Sequence, residues 1–148
     1  GTFDWSYLDA LRAEWDGPLI VKGVLDPAEA REAVEHGVDG ILVSSHGGRQ
    51  VDSAPASITA LPKVADAVGG RAKLLLDSGV RSGLDVARAI ALGADFVLCG
   101  RAFMFGCAAL GEAGADHAFD VLRDDLVNAM SNLGCATLGE LRDRIEAA

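Results

Sequence analysis

The chain has 148 residues, 50% apolar and 24% charged, enough to bury one core and too few for several domains. Thirteen basic against 22 acidic residues give a net charge of −9, which repels nucleic acid and anionic lipid and argues against both as partners. The longest apolar runs, such as Leu74–Leu76 and Phe96–Cys99, are far too short to span a membrane, and no basic stretch followed by an apolar core marks a secretory leader.

A first helix is expected over Asp4–Glu14, with Leu8 and Leu11 on one side. Pro18–Lys22 then reads as a strand and Asp26–His36 as a helix. Asp26 suits the N-cap, Pro27 the first helical position and Gly37 the stop. Gly40–Ser44 is the second strand, followed by a loop and a helix near Ser57–Val68. Lys73–Leu76 is the third strand, and Ser82 caps a helix running to Leu92. Ala94–Cys99 is the fourth, leading into Phe103–Leu110 and a longer helix over Ala115–Asn132. The strands are unbroken apolar runs, the pattern of parallel strands covered on both faces, and strand–helix alternation makes the chain α/β.

The cysteines Cys99, Cys107 and Cys135 are odd in number, widely spaced and set among apolar residues, with no CxxC. Reduced, buried thiols of a cytoplasmic protein are expected. Trp5, Trp15 and Phe103–Phe105 are expected to pack, and His36 and His117, on helices, to lie at the surface. No metal site is expected.

The segment Ser44-Ser45-His46-Gly47-Gly48-Arg49-Gln50-Val51-Asp52 carries the clearest chemistry. It leaves a strand and sets a titratable base beside a fixed cation, with glycines that let backbone approach a ligand. The acidic residues are densest in the C-terminal helices, whereas several arginines fall in loops after strands, which suits one small anionic ligand. Lys22 ends an apolar strand, where an unpaired ammonium is costly, so a compensating anion is expected. Arg81 and Arg101, with the amides around Gly79 and Gly100, suit phosphate. The dipole of the helix starting near Ser82 is expected to help.

Two architectures compete, an open doubly wound sheet and a (β/α)8 barrel of roughly 250 residues. Lys22, Ser44, His46, Asp77 and Gly100-Arg101 all fall at the C-terminal ends of strands. A TIM barrel gathers those ends at one mouth, with phosphate commonly held at its last two strands. The chain therefore reads as strands five to eight of a barrel plus C-terminal helices.

These motifs also carry a family resemblance. Leu19–Val24 is similar to the strand-five lysine segment of the FMN-dependent 2-hydroxy acid oxidases and dehydrogenases, the glycolate oxidase, lactate oxidase, L-lactate dehydrogenase and mandelate dehydrogenase family. Ser44–Asp52 resembles its Ser-Asn-His-Gly-Gly-Arg-Gln-Leu-Asp signature, Asp77–Gly83 its Asp-Gly-Gly-Val-Arg-x-Gly loop, and Gly100-Arg101 its last-strand Gly-Arg. Ser45 replaces an Asn, Ser78 a Gly and Ala102 a Pro. Ser78 and Ala102 are expected to alter loop stiffness only, whereas Ser45 adjoins the base and touches how flavin or substrate is held.

The resemblance implies residues 1–148 to be the C-terminal half of an FMN hydroxy acid dehydrogenase domain. The first four strands, further flavin contacts, a substrate tyrosine and the aspartate that pairs with the histidine would come from a missing half or a second chain. It implies FMN as cofactor and oxidation of a small L-2-hydroxy acid. His46 would be the base and Arg49 the carboxylate clamp. Lys22 would face the N1–C2=O edge of the flavin, Ser44 and Asp77 the ribityl chain or ring, and Gly79, Arg81, Gly100 and Arg101 the phosphate. Open sheet edges imply a homo-oligomer or partner chain. A quinone or cytochrome acceptor would add peripheral membrane association. The alternatives are a flavin barrel of another reaction type, such as an isopentenyl isomerase, and a non-catalytic half-barrel that binds phosphate or flavin without turnover.

Overall fold

The computed structural model describes residues 4–145. Its elements run α1 (Trp5–Glu14), β1 (Ile20–Val24), α2 (Pro27–Glu35), β2 (Gly40–Val43), α3 (Ser57–Val68), β3 (Lys73–Leu76), α4 (Gly83–Ala91), β4 (Phe96–Val97), α5 (Arg101–Leu110) and α6 (Gly114–Asn132). Short 310 turns occupy His46–Gly48, Gly111–Ala113 and Leu138–Arg144. The strands form one parallel sheet in the order β1-β2-β3-β4, so each helix between strands is a crossover.

The helix boundaries follow from their caps. Asp26 Oδ1 accepts from the Ala28 and Glu29 amides, with Pro27 in the first turn. Ser82 and Asp85 form a reciprocal capping box that starts α4. Left-handed Gly69 stops α3.

Strand register divides the sheet into two faces. Val21, Ile41 and Leu74 align, as do Val24, Val43, Leu76 and Val97, and most of these are buried beneath the helices. Ile20 with Gly40 and Lys73, and Lys22 with Leu42, Leu75 and Phe96, align on the other face. There Ile20 and Phe96 are exposed. The expectation of strands covered on both faces therefore holds fully only for β2; helices cover one side of the sheet. The core lies on that side, completed by Leu61, Val64, Ala87, Ile90 and Leu141. Leu141 comes from the Leu138–Arg144 turn, to which the sequence reading assigned no element.

Several boundaries depart from expectation. β1 continues past Lys22 because Gly23 forms a bulge, after which Val24 pairs with Val43 and points to the core. β4 is shorter than Ala94–Cys99, since Ala94 is tied by its amide to the end of α4 and the strand pairs only with β3. Cys135 is buried and Cys99 half-buried, but Cys107 is exposed, because α5 fully buries none of its residues. Burial, with the Asp85 charge, pushes the Cys99 thiol up from its ordinary value. Trp15 and Phe105 are likewise exposed rather than packed.

His36 is more than a surface residue. Its Nδ1 lies 2.5 Å from Asp9 Oδ1, its Nε2 3.5 Å from Glu32, and its ring stacks on Trp5 at 5.3 Å. It thus latches α1 to α2. The Asp9 hydrogen bond raises its pKa above the ordinary 6.5 against the effect of burial, and the Asp9 and Glu32 charges add to the rise. A raised folded-state value stabilises fully below the unfolded value and fades as pH climbs through the folded one. The thermal midpoint of the protein is therefore expected to fall above pH 6.5 by more than that of His36→Gln, at low salt. Parallel pH curves for the two would remove the latch.

A rim of strand ends as candidate active site

The loops after the strands meet through a closed set of hydrogen bonds. Lys22 Nζ, on β1, donates to Asp77 Oδ2 at 2.6 Å and to Ser44 Oγ at 2.7 Å. Ser44 is fully buried, and its hydroxyl also accepts the His46 amide at 3.1 Å. Ser78 Oγ donates to Asp77 Oδ1 at 2.8 Å and accepts the Gly47 amide at 3.0 Å. Burial alone would raise the Asp77 carboxyl, but bonds from Lys22, Ser44 and Ser78 outweigh it and hold the group below its ordinary value. The anion expected beside Lys22 is thus Asp77. An ammonium has three N–H donors, and two are accounted for.

The histidine loop is held in an uncommon shape. His46, Gly47 and Gly48 have φ of 53°, 70° and 73°, a left-handed run that a β-carbon disfavours at His46. Its ring lies against Gly23, where an added Cβ would come within 2.5 Å of Cε1. Among the described residues the ring nitrogens have no hydrogen-bond partner. Beneath the loop, buried Ser57 accepts the Ser45 amide through Oγ.

His46, Arg49, Asp77, Gly79, Arg81, Gly100 and Arg101 line one cleft of about 660 Å³, together with Met104. Ser44 lies below it, and Lys22, tied in through Asp77, faces the adjoining groove between α1 and β1. Among the described residues Arg49, Arg81 and Arg101 have no ion-pair partner, although the chain is strongly acidic. Three guanidiniums without ion-pair partners at one cleft suit an anion. The space around Gly79 and Gly100 is open, since a Cβ there would meet nothing within 4 Å.

The starts of α4 and α5 differ in their side-chain caps. The amides that start α4 are already used: Asp85 takes those of Arg81 and Ser82, Ser82 Oγ takes that of Asp85, and Asp125 takes that of Leu84. A carboxylate at that terminus repels phosphate. The N-terminus of α5 has no side-chain cap, and its dipole starts at Gly100-Arg101. Among the described residues the start of α5 thus keeps its positive dipole end without a side-chain acceptor, the condition that suits an anion.

Ser57 and Gly23 carry no motif that marks them in the sequence, and Ser78 does more here than alter loop stiffness. The signal for Ser78 was its place in a position usually held by Gly: with φ of 72° it needs interactions that fix it there.

A parallel α/β sheet with a histidine and three arginines gathered at its C-terminal rim has the architecture of part of a TIM barrel. The family model described as FMN-dependent dehydrogenase matches residues 1–147, and the chain belongs to that family. It is 50% identical over 140 residues to an L-lactate dehydrogenase of Pseudomonas aeruginosa (strain LESB58), covering 95% of this chain and 37% of the relative. A Chromohalobacter salexigens L-lactate dehydrogenase is 49% identical, with 95% and 36% covered. A crystal structure of mandelate oxidase with (S)-2-phenylpropionate superposes with a TM-score of 0.92 at 42% identity, covering 96% of this chain and 42% of that one. The chain thus spans little over a third of the curated relatives it matches. The family cofactor is FMN, and the free guanidiniums, open glycines and uncapped α5 fit a phosphate ester of that kind.

Proposed function

We propose that residues 1–148 form the C-terminal half of a flavin barrel that oxidises a small L-2-hydroxy acid, of the lactate, glycolate and mandelate class, to the 2-oxo acid. The observation that carries this reading is the sharing of one cleft by His46, Arg49, Arg81 and Arg101. When bound, FMN supplies the two-electron acceptor.

Arg49 clamps the substrate carboxylate with its planar fork, which orients C2. His46 takes the proton released as C2 is oxidised and later returns it to solvent. Arg81 and Arg101, with the amides around Gly79 and Gly100, hold the cofactor phosphate. Asp77 and Ser44 fix the Lys22 ammonium, whose remaining N–H would stabilise the negative charge that builds on a bound flavin when it is reduced, and both residues would help hold its ribityl chain. The exposed Ile20 and Phe96 and the two sheet edges support a complementary set of strands from the same polypeptide, a second chain or a homo-oligomer.

The test is anaerobic mixing of the full-length, FMN-loaded protein with L-lactate, glycolate and L-mandelate. At least one is expected to bleach the flavin absorbance, and its carboxamide, which gives Arg49 no charge to clamp, at least 100-fold more slowly. A flavin that stays oxidised with every 2-hydroxy acid would overturn the assignment.

A further inference from the structure

We propose that Ser78 is a positioning residue that locks the His46 loop onto the Lys22–Asp77 pair; its catalytic consequence rests on the function proposed above. His46, Gly47 and Gly48 form a left-handed run that the chain does not hold by itself. Its own backbone bonds are those of Gly48 to Ser45 at 3.0 Å and Arg49 to His46 at 3.4 Å, the second long and weak. Two side chains supply the rest. Ser44 Oγ takes the His46 amide, and Ser78 Oγ takes the Gly47 amide from the next strand end.

Ser78 is suited to this by both ends of its hydroxyl. The oxygen accepts from Gly47 and the proton goes to Asp77 Oδ1, whose other oxygen receives Lys22. The circuit closes through Ser44, which touches both Lys22 and the His46 amide. A serine at φ of 72° is a costly choice where glycine fits without strain. The two hydrogen bonds offset that cost. Displacing the loop shifts the His46 ring against Gly23 and the Arg101 guanidinium beside Gly47.

Three substitutions separate hydrogen bonding from backbone strain. Ser78→Ala keeps the strained φ and loses both bonds; Ser78→Gly relieves the strain and loses both bonds. Ser78→Asn tolerates a left-handed backbone and carries an amide that can accept from Gly47 and donate to Asp77. In the full-length, FMN-loaded protein, Ala and Gly are both expected to speed amide hydrogen exchange about tenfold in the Ser45–Val51 segment, with the β2 and β3 amides unchanged. Both should slow anaerobic flavin reduction by about tenfold, and Asn should recover to within about threefold. Unaltered exchange in the Gly variant, or faster exchange with an unaltered reduction rate, would overturn the proposal. If no 2-hydroxy acid reduces the wild-type flavin, the function fails separately, and the exchange measurement alone decides whether Ser78 holds the loop.

Discussion

His46→Gln is expected to lower anaerobic flavin reduction by about 10³-fold, in the range that removal of a general base produces. Glutamine fills a similar volume and cannot accept and release a proton near neutrality. The fold should not suffer, because His46 is exposed and its amide, not its ring, makes the bond to Ser44. Flavin content, thermal midpoint and the affinity for a 2-oxo acid product should therefore stay near wild type. The control matters, since Arg49, proposed to hold the substrate carboxylate, is three residues away on the same loop, and a displaced loop would lower affinity as well as rate. Equal reduction rates for the variant and the wild type, at saturating 2-hydroxy acid, would remove His46 from the chemistry.

Gly23→Ala is expected to cost about 100-fold in the same rate, from a residue with no functional group. Two effects act together. A Cβ at Gly23 would lie 2.5 Å from His46 Cε1, so the ring must move. The backbone there has φ of 98°, a region that costs a non-glycine residue roughly 1–3 kcal/mol, so the thermal midpoint should also fall. A double variant separates the two. With His46 already replaced by Gln, adding Gly23→Ala should lower the rate little further, while the stability loss persists in full. Independent, multiplying rate losses would show that Gly23 acts by a route other than the histidine ring.

Much of this was legible in the sequence because the relevant signals are local. Asp26-Pro27, Ser82 and Gly37 punctuate helices by their own chemistry. The apolar runs at Gly40–Val43 and Lys73–Leu76 are too short and too β-branched or leucine-rich to be read otherwise. The clustering of His46, Arg49, Asp77, Arg81 and Arg101 followed from a single topological rule, that parallel strands deliver their C-terminal ends to one rim. What escaped were properties that depend on partners far along the chain. The bulge at Gly23 is visible only once β1 lies beside β2. That Asp85 occupies the start of α4, leaving α5 to face an anion, depends on which carboxylate reaches which amide. The exposure of Cys107 depends on how much of α5 its neighbours cover, which no run of apolar letters encodes.

The alternation of side chains across the sheet has a consequence for how such a protein changes over time. Ile41, Val43, Leu74 and Leu76 are buried beneath the helices, whereas Ser44, His46, Arg49, Asp77 and Arg81 lie in the loops that follow β2 and β3. Most of the buried scaffold and most of the rim are thus written in separate stretches of polypeptide, with Gly23 belonging to both. A lineage can remodel the rim while the buried rows, untouched, keep the scaffold standing.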